Sequence, residues 1–330
     1  MAAGRPEISV IGAGVVGLTT AVTLLQKGHA VRVLAESVDR PPASWGAPAM
    51  FTPYPGPEEG RRRRWTERAF AALERVASEH PESGVEMGTL RELFHTPHVV
   101  PEWSARLLGI RPMQPAPPLA QAHDSRRPVI DMVRYLPWLR DRVVALGGTL
   151  VERRVASLES LLEEGCATVV LCAGTGSGPL AQDPRVRPMH GQVLHVPNDI
   201  GLTYSLHDDG PGGKTTYVFR FRDRLVVGGT FEADRPGMGT DPASLEAILE
   251  RGRAMLRLDG HRNWSGLGSV ILEARGAARP TRGGGTVFED VRVESDPEHG
   301  RRIVHHYGHG RQGVTLSWAT AAEVADLLAG

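Results

Sequence analysis

Residues 7–36, EISVIGAGVVGLTTAVTLLQKGHAVRVLAE, constrain this chain more than any other stretch. The opening "EISVIG" predicts a short buried strand. Gly12-Ala13-Gly14-Val15-Val16-Gly17 then places three glycines at the spacing of a dinucleotide-binding turn. Gly12 suits the tight turn, Gly14 lets backbone approach a pyrophosphate, and Gly17 lets helix pack on strand. A helical run follows, closing at Gly28, and its N-terminus would face the phosphates. "AVRVLAE" predicts a second strand, ending in Glu36, where an acid would hold a ribose hydroxyl pair. The acid favours an unphosphorylated ribose, as in FAD or NAD. A glycine-rich turn without a ligand is the alternative, and the complete strand–turn–helix–strand–acid context disfavours it.

The texture of residues 7–36 returns twice. "TLVERRV" and "TVVLCAG" predict further strands in the middle of the chain, the second ending at Ala173-Gly174. "RRIVHHYG", followed by a helix from about Val314, closes the sequence. Between these pieces, residues 189–270 alternate in a β-like pattern, broken by a helix at 243–258. Residues 61–80 predict a helix with an apolar stripe at Ala69, Phe70, Leu73 and Val76. The helix predicted from Asp131 has a candidate interruption at Pro137, and residues 94–128 read as Pro-rich and irregular. The expected fold is α/β: a discontinuous, doubly wound Rossmann-type domain with an inserted α+β domain on a mostly antiparallel sheet. The dinucleotide domain is drawn as 1–55, 140–188 and 268–330, and the substrate domain as 56–139 and 189–267.

Composition narrows the function classes. Lys plus Arg and Asp plus Glu are 38 each, so neither nucleic acid nor an anionic membrane is an expected partner. Arg61–Arg64 reads as a solvated helix start. No run of eighteen apolar residues suggests a membrane span. The N-terminus leaves no room for a signal peptide, and Cys166 and Cys172 suit a reducing cytoplasm, the expected location. His305, His306 and His309 lack a metal-ligand pattern, so no metal is expected. Neither G-x-S-x-G nor HExxH occurs.

Two other stretches carry candidate chemistry. In "EARGAARPTR", Arg279 sits among small residues, where a guanidinium could grip a carboxylate bidentately. On local sequence alone a solvated arginine accounts for it better. In "YGHGRQGVT", residues 307–315, a glycine-rich turn leads into a helix, placing free N–H groups and a positive helix end beside a ligand. The Ala173-Gly174 turn is as readily an ordinary strand end as a cofactor contact.

Assembled, these pieces resemble the D-amino-acid oxidase family of FAD enzymes, within the wider glycine and sarcosine oxidase group. The resemblance spans nearly the whole chain, from "VIGAGVVGLTTA" through "WTERAFAAL", "RPMHGQVLHV", "YVFRFRDRLVVGGTF" and "RGAARPTR" to "HHYGHGRQGVT". It implies non-covalent FAD and oxidative deamination of a D-amino acid by hydride transfer, with oxygen as acceptor and hydrogen peroxide, 2-oxo acid and ammonia as products. Arg279 matches the arginine that grips the substrate carboxylate, Tyr217 a tyrosine that helps hold it, and Tyr54 a pocket aromatic. Arg311 stands at the pocket side, after "YGHG". The implied cofactor contacts are Gly12, Ala13, Gly14, Val15, Val16, Gly17, Glu36, Ser44, Ala49, Met50, Val155, Ala173, Gly174, Gly308, Gly310, Arg311, Gly313, Val314 and Thr315. The chain departs from the family pattern at Gly213, where many members carry a second tyrosine, at Pro48 and Ala49, and at Arg311 itself. Two other functions stay open: an oxidase acting on an N-substituted glycine or other unusual amine, and a FAD-binding protein without turnover. A homodimer is compatible with the family, but no residue pattern reads out the oligomeric state.

Overall fold

A computed structural model describes residues 7–38, 42–53, 60–210, 215–283 and 291–329. Numbered along the chain, the smaller sheet holds β1 (Ile8–Ile11), β2 (Val31–Ala35), β7 (Thr149–Glu152), β8 (Thr168–Leu171), β15 (Arg292–Asp296) and β16 (Gly300–Tyr307). Their order is β15-β16-β8-β1-β2-β7. All neighbours are parallel except β15 with β16. The larger sheet holds β3 (Ala49–Met50), β4 (Val85–Phe94), β5 (Arg111–Met113), β6 (Gln121–Ile130), β9 (Val186–Pro197), β10 (Ser205–Asp208), β11 (Thr216–Arg220), β12 (Arg224–Gly228), β13 (Glu232–Ala233) and β14 (Glu273–Arg282). Among the described residues only β4 with β10 pairs in parallel there. Among the described residues the helices are α1 (Val15–Gln26), α2 (Arg61–Glu79), α3 (Glu102–Leu108), α4 (Met132–Ala145), α5 (Leu158–Glu163), α6 (Ser177–Leu180), α7 (Pro242–Leu258) and α8 (Gly313–Ala329). This is the α/β architecture read from the sequence.

Alternation decides the layers. Val10, Val33, Val170 and Val304 face α1, α8 and the flanking α2 and α4, while Ile11, Leu34, Val169, Leu171 and Ile303 face α5. Helix α1 is buried almost all round, so it carries few polar side chains. Its Thr19, Thr20 and Thr23 hydroxyls donate to the carbonyls of Val15, Val16 and Thr19 at 2.7, 2.8 and 2.8 Å. Each threonine thus satisfies itself within the helix. Helix α2 is tied to α8 by Arg61 and Trp65, which both donate to the Glu323 carboxylate.

Residues 268–330 supply strands to both sheets. Strand β14 lies antiparallel to β9 in the larger one, while β15 and β16 belong to the smaller.

Two expectations are corrected. Pro137 does not interrupt α4, which runs through it. Asp131 caps the helix by accepting from the Val133 N–H at 3.1 Å, and Tyr135, Leu136, Leu139 and Val143 are buried against the core, so packing holds the turn that loses one hydrogen bond. The segment 94–128 is not irregular throughout, because β6 pairs with β4 over ten residues, Val85↔Ile130 to Phe94↔Gln121. Its inward side chains are His123, Ser125 and Arg127, a polar set that hides the strand's alternation. They are buried because they satisfy one another. Arg127 pairs with Glu92 of β4, His123 bonds the same carboxylate at 2.8 Å, and Arg127 Nε donates to Ser125 at 2.9 Å. Arg127 holds Glu92 near 2 against the upward push of burial.

Candidate active site

Parallel strands bring four turns to one edge of the smaller sheet. β1 ends into Gly12–Gly17, β2 into Glu36, β8 into Ala173-Gly174, and β16 into the 308–315 turn. Gly12 is held by its N–H, which donates to Leu34 O at 2.8 Å. Its φ is +108°, and a Cβ there would lie 2.9 Å from the Cys172 carbonyl carbon. A Cβ on Gly17 would press on the Gly12 carbonyl, 3.0 Å from its carbon. Gly14 is different: a Cβ there would meet Ser44 Oγ at 3.7 Å and Pro42 Cβ at 4.0 Å, both ordinary van der Waals distances. The fold therefore requires glycine at 12 and 17, whereas at 14 the protein leaves room for something else. Ser44 accepts from the Val15 N–H at 3.2 Å. The next amides of the first turn, at Val16 and Gly17, precede the first intrahelical donor, Leu18 to Gly14 O at 2.9 Å. A bare cradle and orphan N–H groups at a positive helix end fit a pyrophosphate.

Most of the other predicted cofactor residues follow strands of the same sheet, while Ala49 and Met50 form β3 of the larger one. Glu36 is exposed just past β2. Ala13 is buried and Val16 half-buried. Val155 and Ala173 are half-buried against the cluster of Ile11, Leu34 and Leu171. Gly174 lies against Pro280 of β14. Ala49 and Met50 pair with Ile130 and Val129, and Met50 shares a buried cluster with Tyr217, which links this edge to the second site below. Gly308 and Gly310 have φ of +82° and +52°. Gly313 opens α8, with Val314 and Thr315 buried in its first turn.

The histidines nearby are structural. His306 Nδ1 bonds Thr20 Oγ1 of α1 at 2.9 Å, and His309 Nε2 bonds Thr320 Oγ1 of α8 at 3.2 Å. Burial pushes His309 down to about 3 and His306 well below its ordinary value, so both stay neutral and pin the turn between two helices. Among the described residues no group of three His, Cys, Asp or Glu side chains could hold a metal ion.

Strand β14 carries the second half of the site. It runs along the outer side of β9 and past the turns just described, with Thr281 bridged to His309 and Gly46 under Ala277. Arg279 on β14 leans across Gly191 of β9, where a Cβ would stand 2.6 Å from its Cζ. Its Nη1 donates to Thr230 O at 3.4 Å. Tyr217 on β11 leans the other way, over Gly228 at the end of the adjoining β12 and Gly229 just after it, and a Cβ on Gly229 would lie 2.5 Å from its hydroxyl. Three glycines thus form a floor over which the guanidinium and the phenol converge.

The Tyr217 hydroxyl is buried and has no hydrogen-bond partner among the described residues. Such a group costs about 1–3 kcal/mol unless something satisfies it. Burial pushes the phenol up to about 12, although Arg279 and Arg251 act to lower it. The hydroxyl therefore keeps its proton, and its capacity to donate, until pH approaches 12. We expect no Tyr217-linked weakening of substrate binding between pH 7 and 10. An alkaline limb near 10 that disappears in Tyr217→Phe would contradict this. Phe231, 41% exposed, closes one side of the floor, with Arg279 Cζ 4.9 Å from its ring centre.

Sequence reading picked out Arg279 and Tyr217 but gave no role to Gly191, Gly228, Gly229, Thr230, Phe231 or Arg251. The signals were "HG" at 190–191 and "GGTF" at 228–231, glycines within apolar strands, which mark close approach by another group. Tyr54 and Gly213 lie outside the described residues. A cleft of about 540 Å³ elsewhere, between α1, α2, α4 and α8 and lined by Trp138 and Trp318, holds none of these groups. It opens beside Val22 and Gln26, at the far end of α1 from the glycine turn.

The chain matches the family described as FAD dependent oxidoreductase over residues 7–327. A D-amino-acid oxidase of Streptomyces coelicolor is 36% identical, over 97% of this chain and 96% of its own. One from Rubrobacter xylanophilus is 38% identical, over 96% and 94%. A human D-aspartate oxidase is 30% identical, over 98% and 94%. Among solved structures, glycine oxidase from Geobacillus kaustophilus superposes with a TM-score of 0.79 at 18% identity, covering 99% of this chain and 95% of that one. A cradle fit for a dinucleotide, beside a floor carrying an arginine and an unsatisfied tyrosine, is therefore the site of a chain that belongs to the FAD-dependent oxidoreductase family.

Proposed function

We propose that this protein oxidises D-amino acids to 2-oxo acids and ammonia, with FAD as cofactor and oxygen as final acceptor. The observation that carries the reading is the convergence of Arg279 with the unsatisfied Tyr217 hydroxyl on one glycine floor, beside the dinucleotide edge. The D-amino-acid oxidases that align over nearly the full chain support it. On this reading Gly12–Gly17 and the start of α1 hold the pyrophosphate, Glu36 the ribose, and the 308–315 turn the ring. Ser44, Ala49, Met50, Val155, Ala173 and Gly174 complete the cofactor's surroundings, and Tyr54 belongs to the substrate pocket.

FAD held by Gly12–Gly17, Glu36 and the 308–315 turn would supply the two-electron acceptor for the α-hydrogen as hydride, with oxygen as the final acceptor and hydrogen peroxide as product. What this chain supplies is position. Arg279 grips the carboxylate with its planar fork. Tyr217 donates to a remaining lone pair and so meets its own missing partner. Phe231 narrows the opening to water. Fixing the carboxylate at two points sets its plane; with the α-hydrogen turned to the flavin, the two enantiomers differ in which walls receive the amine and the side chain, and that difference selects one of them. The imino acid then hydrolyses in water.

Peroxide formation by the FAD-loaded protein with paired D- and L-amino acids tests the proposal. We expect peroxide from D-enantiomers only. Turnover confined to N-alkylglycines would move the reading to a secondary-amine oxidase, and none at all to a FAD protein without turnover. Tyr217→Phe is expected to raise KM about 10- to 100-fold, the worth of one hydrogen bond to a charged group, with flavin retained. The same reading places the protein in the cytoplasm and takes a homodimer as its assembly, which light scattering would check. No described helix is long and apolar enough to cross a membrane.

A further inference from the structure

The wall beside Arg279 is made by an irregularity in strand pairing. Gly228 of β12 pairs with Val193 of β9, and Glu232 of β13 pairs with His190 of the same strand. Between those two pairs β9 has Gly191 and Gln192, while the opposite chain has Gly229, Thr230 and Phe231. The extra residue makes a β-bulge, which bends its strand and re-aims the groups it carries. Here the bulge delivers two contacts to Arg279: the Thr230 carbonyl, 3.4 Å from Nη1, and the Phe231 ring, whose centre is 4.9 Å from Cζ.

A bulge interrupts the ladder, so its backbone groups need other partners. The Gln192 N–H, which regular pairing would give to a carbonyl of the facing strand, donates instead to Thr230 Oγ1 at 3.1 Å. The side chain thus stands in for the backbone, and the Thr230 carbonyl turns to Arg279. The Thr230 hydroxyl has one proton, and it donates that proton to Glu232 Oε1 at 2.8 Å. Glu232 is fixed in turn: Oε1 also accepts from Gln192 Nε2 at 2.7 Å, and Oε2 pairs with Arg235. Gln192 is buried, and its Oε1 accepts from the N–H of Asp241, the residue that caps α7, at 2.6 Å. Burial pushes the Glu232 carboxyl up, but hydrogen bonds from Gln192, Arg235 and Thr230 hold it at about 2. It is therefore an acceptor only, which leaves the Thr230 hydroxyl one orientation.

We infer that Glu232 is a positioning residue for substrate binding: through the Thr230 hydroxyl it sets the bulge, and through the bulge the plane of the Arg279 guanidinium. This rests on the D-amino-acid oxidase reading above, in which that guanidinium grips the substrate carboxylate. A bidentate fork is useful only when its plane matches the carboxylate's. The chain from the α7 cap through Gln192, Glu232 and Thr230 to Arg279 is made of hydrogen bonds, so removing one member loosens the plane without removing the charge.

The test uses the FAD-loaded enzyme and the D-amino acid that it turns over fastest. Anaerobic flavin bleaching gives a substrate Kd and a limiting rate for each variant. T230V has nearly the shape of threonine and no hydroxyl, and T230S keeps the hydroxyl. We expect T230V and E232L to raise the substrate Kd about five- to tenfold, the worth of one hydrogen bond. The limiting rate should change less than the Kd, and T230S should recover most of the loss. In an R279K background, where the fork is already gone, T230V should add less than about twofold, because residues acting through one another are not additive. An unaltered Kd in T230V or E232L would overturn the inference and leave D-amino-acid oxidation standing. So would a T230S protein as weakened as T230V, or a full further loss in R279K, since either would mean that the bulge does not act through the Arg279 fork. Failure of every D-amino acid to reduce the flavin of the unaltered enzyme would remove this inference together with the reading beneath it.

Discussion

Arg279→Gln is expected to raise KM for D-amino acids about 30- to 4,000-fold while the protein stays yellow. Truncating one partner of a desolvated charge pair typically costs about 2–5 kcal/mol, and each 1.4 kcal/mol is tenfold. Arg279 belongs at the upper part of that range for a geometric reason. Its guanidinium lies flat over the bare Gly191 backbone, with Thr230 O and the Phe231 ring fixing its plane, so a bidentate fork is organised before substrate arrives. Lysine would restore the charge without the fork and should recover only part of the loss. Arg279 stands on β14, outside the Gly12–Gly17 turn, so the flavin spectrum should be retained. Flavin lost at unchanged KM would move Arg279 out of the carboxylate site.

The second large effect separates the three glycines of the nucleotide turn. Gly17→Ala puts a methyl group against the Gly12 carbonyl. Either the turn opens or α1 shifts off β1, and the protein should lose about 3 kcal/mol of stability together with its FAD. Gly14→Ala puts the methyl at ordinary contact distance from Ser44 and Pro42, with no clash. Its apoprotein should melt with the unaltered one, yet its FAD Kd should rise by about tenfold or more. Thermal melting of apoproteins and flavin fluorescence titrations distinguish the two. A Gly14→Ala protein that binds FAD normally would mean that the pyrophosphate does not approach the turn at residue 14.

These two experiments also mark what the sequence makes legible. The nucleotide edge was readable because its constraints are local: Gly12, Gly17 and Glu36 act within one strand–turn–helix–strand unit. Arg279 was a candidate from its local sequence, Tyr217 could be named from resemblance alone, and the reason they meet was not readable. It depends on the order β14-β9-β12-β11, which brings Gly191 and Gly228 under side chains from residues 279 and 217. Strand β6 escaped notice because burial there is achieved with charge. Arg127 and Glu92 neutralise each other across β4, so the inward face reads as polar in one dimension and as core in three. Pro137 misled for a related reason, since a proline's local cost is outweighed by the packing of Tyr135, Leu136 and Leu139. Arg311 looked like a departure at the end of a glycine turn. The structure places its guanidinium over the same phenylalanine ring as the proposed carboxylate clamp.

The central claim is that a carboxylate held by Arg279 and Tyr217 presents one α-hydrogen to the flavin. Anaerobic mixing of the FAD-loaded protein with a D-amino acid, its L-enantiomer and the α-deuterated D-form tests it most directly. The account predicts that the oxidised flavin's visible absorption bleaches with the D-form alone, and more slowly when the α-hydrogen is deuterium. Bleaching by the L-enantiomer at the same rate, or no bleaching by any D-amino acid, would contradict it.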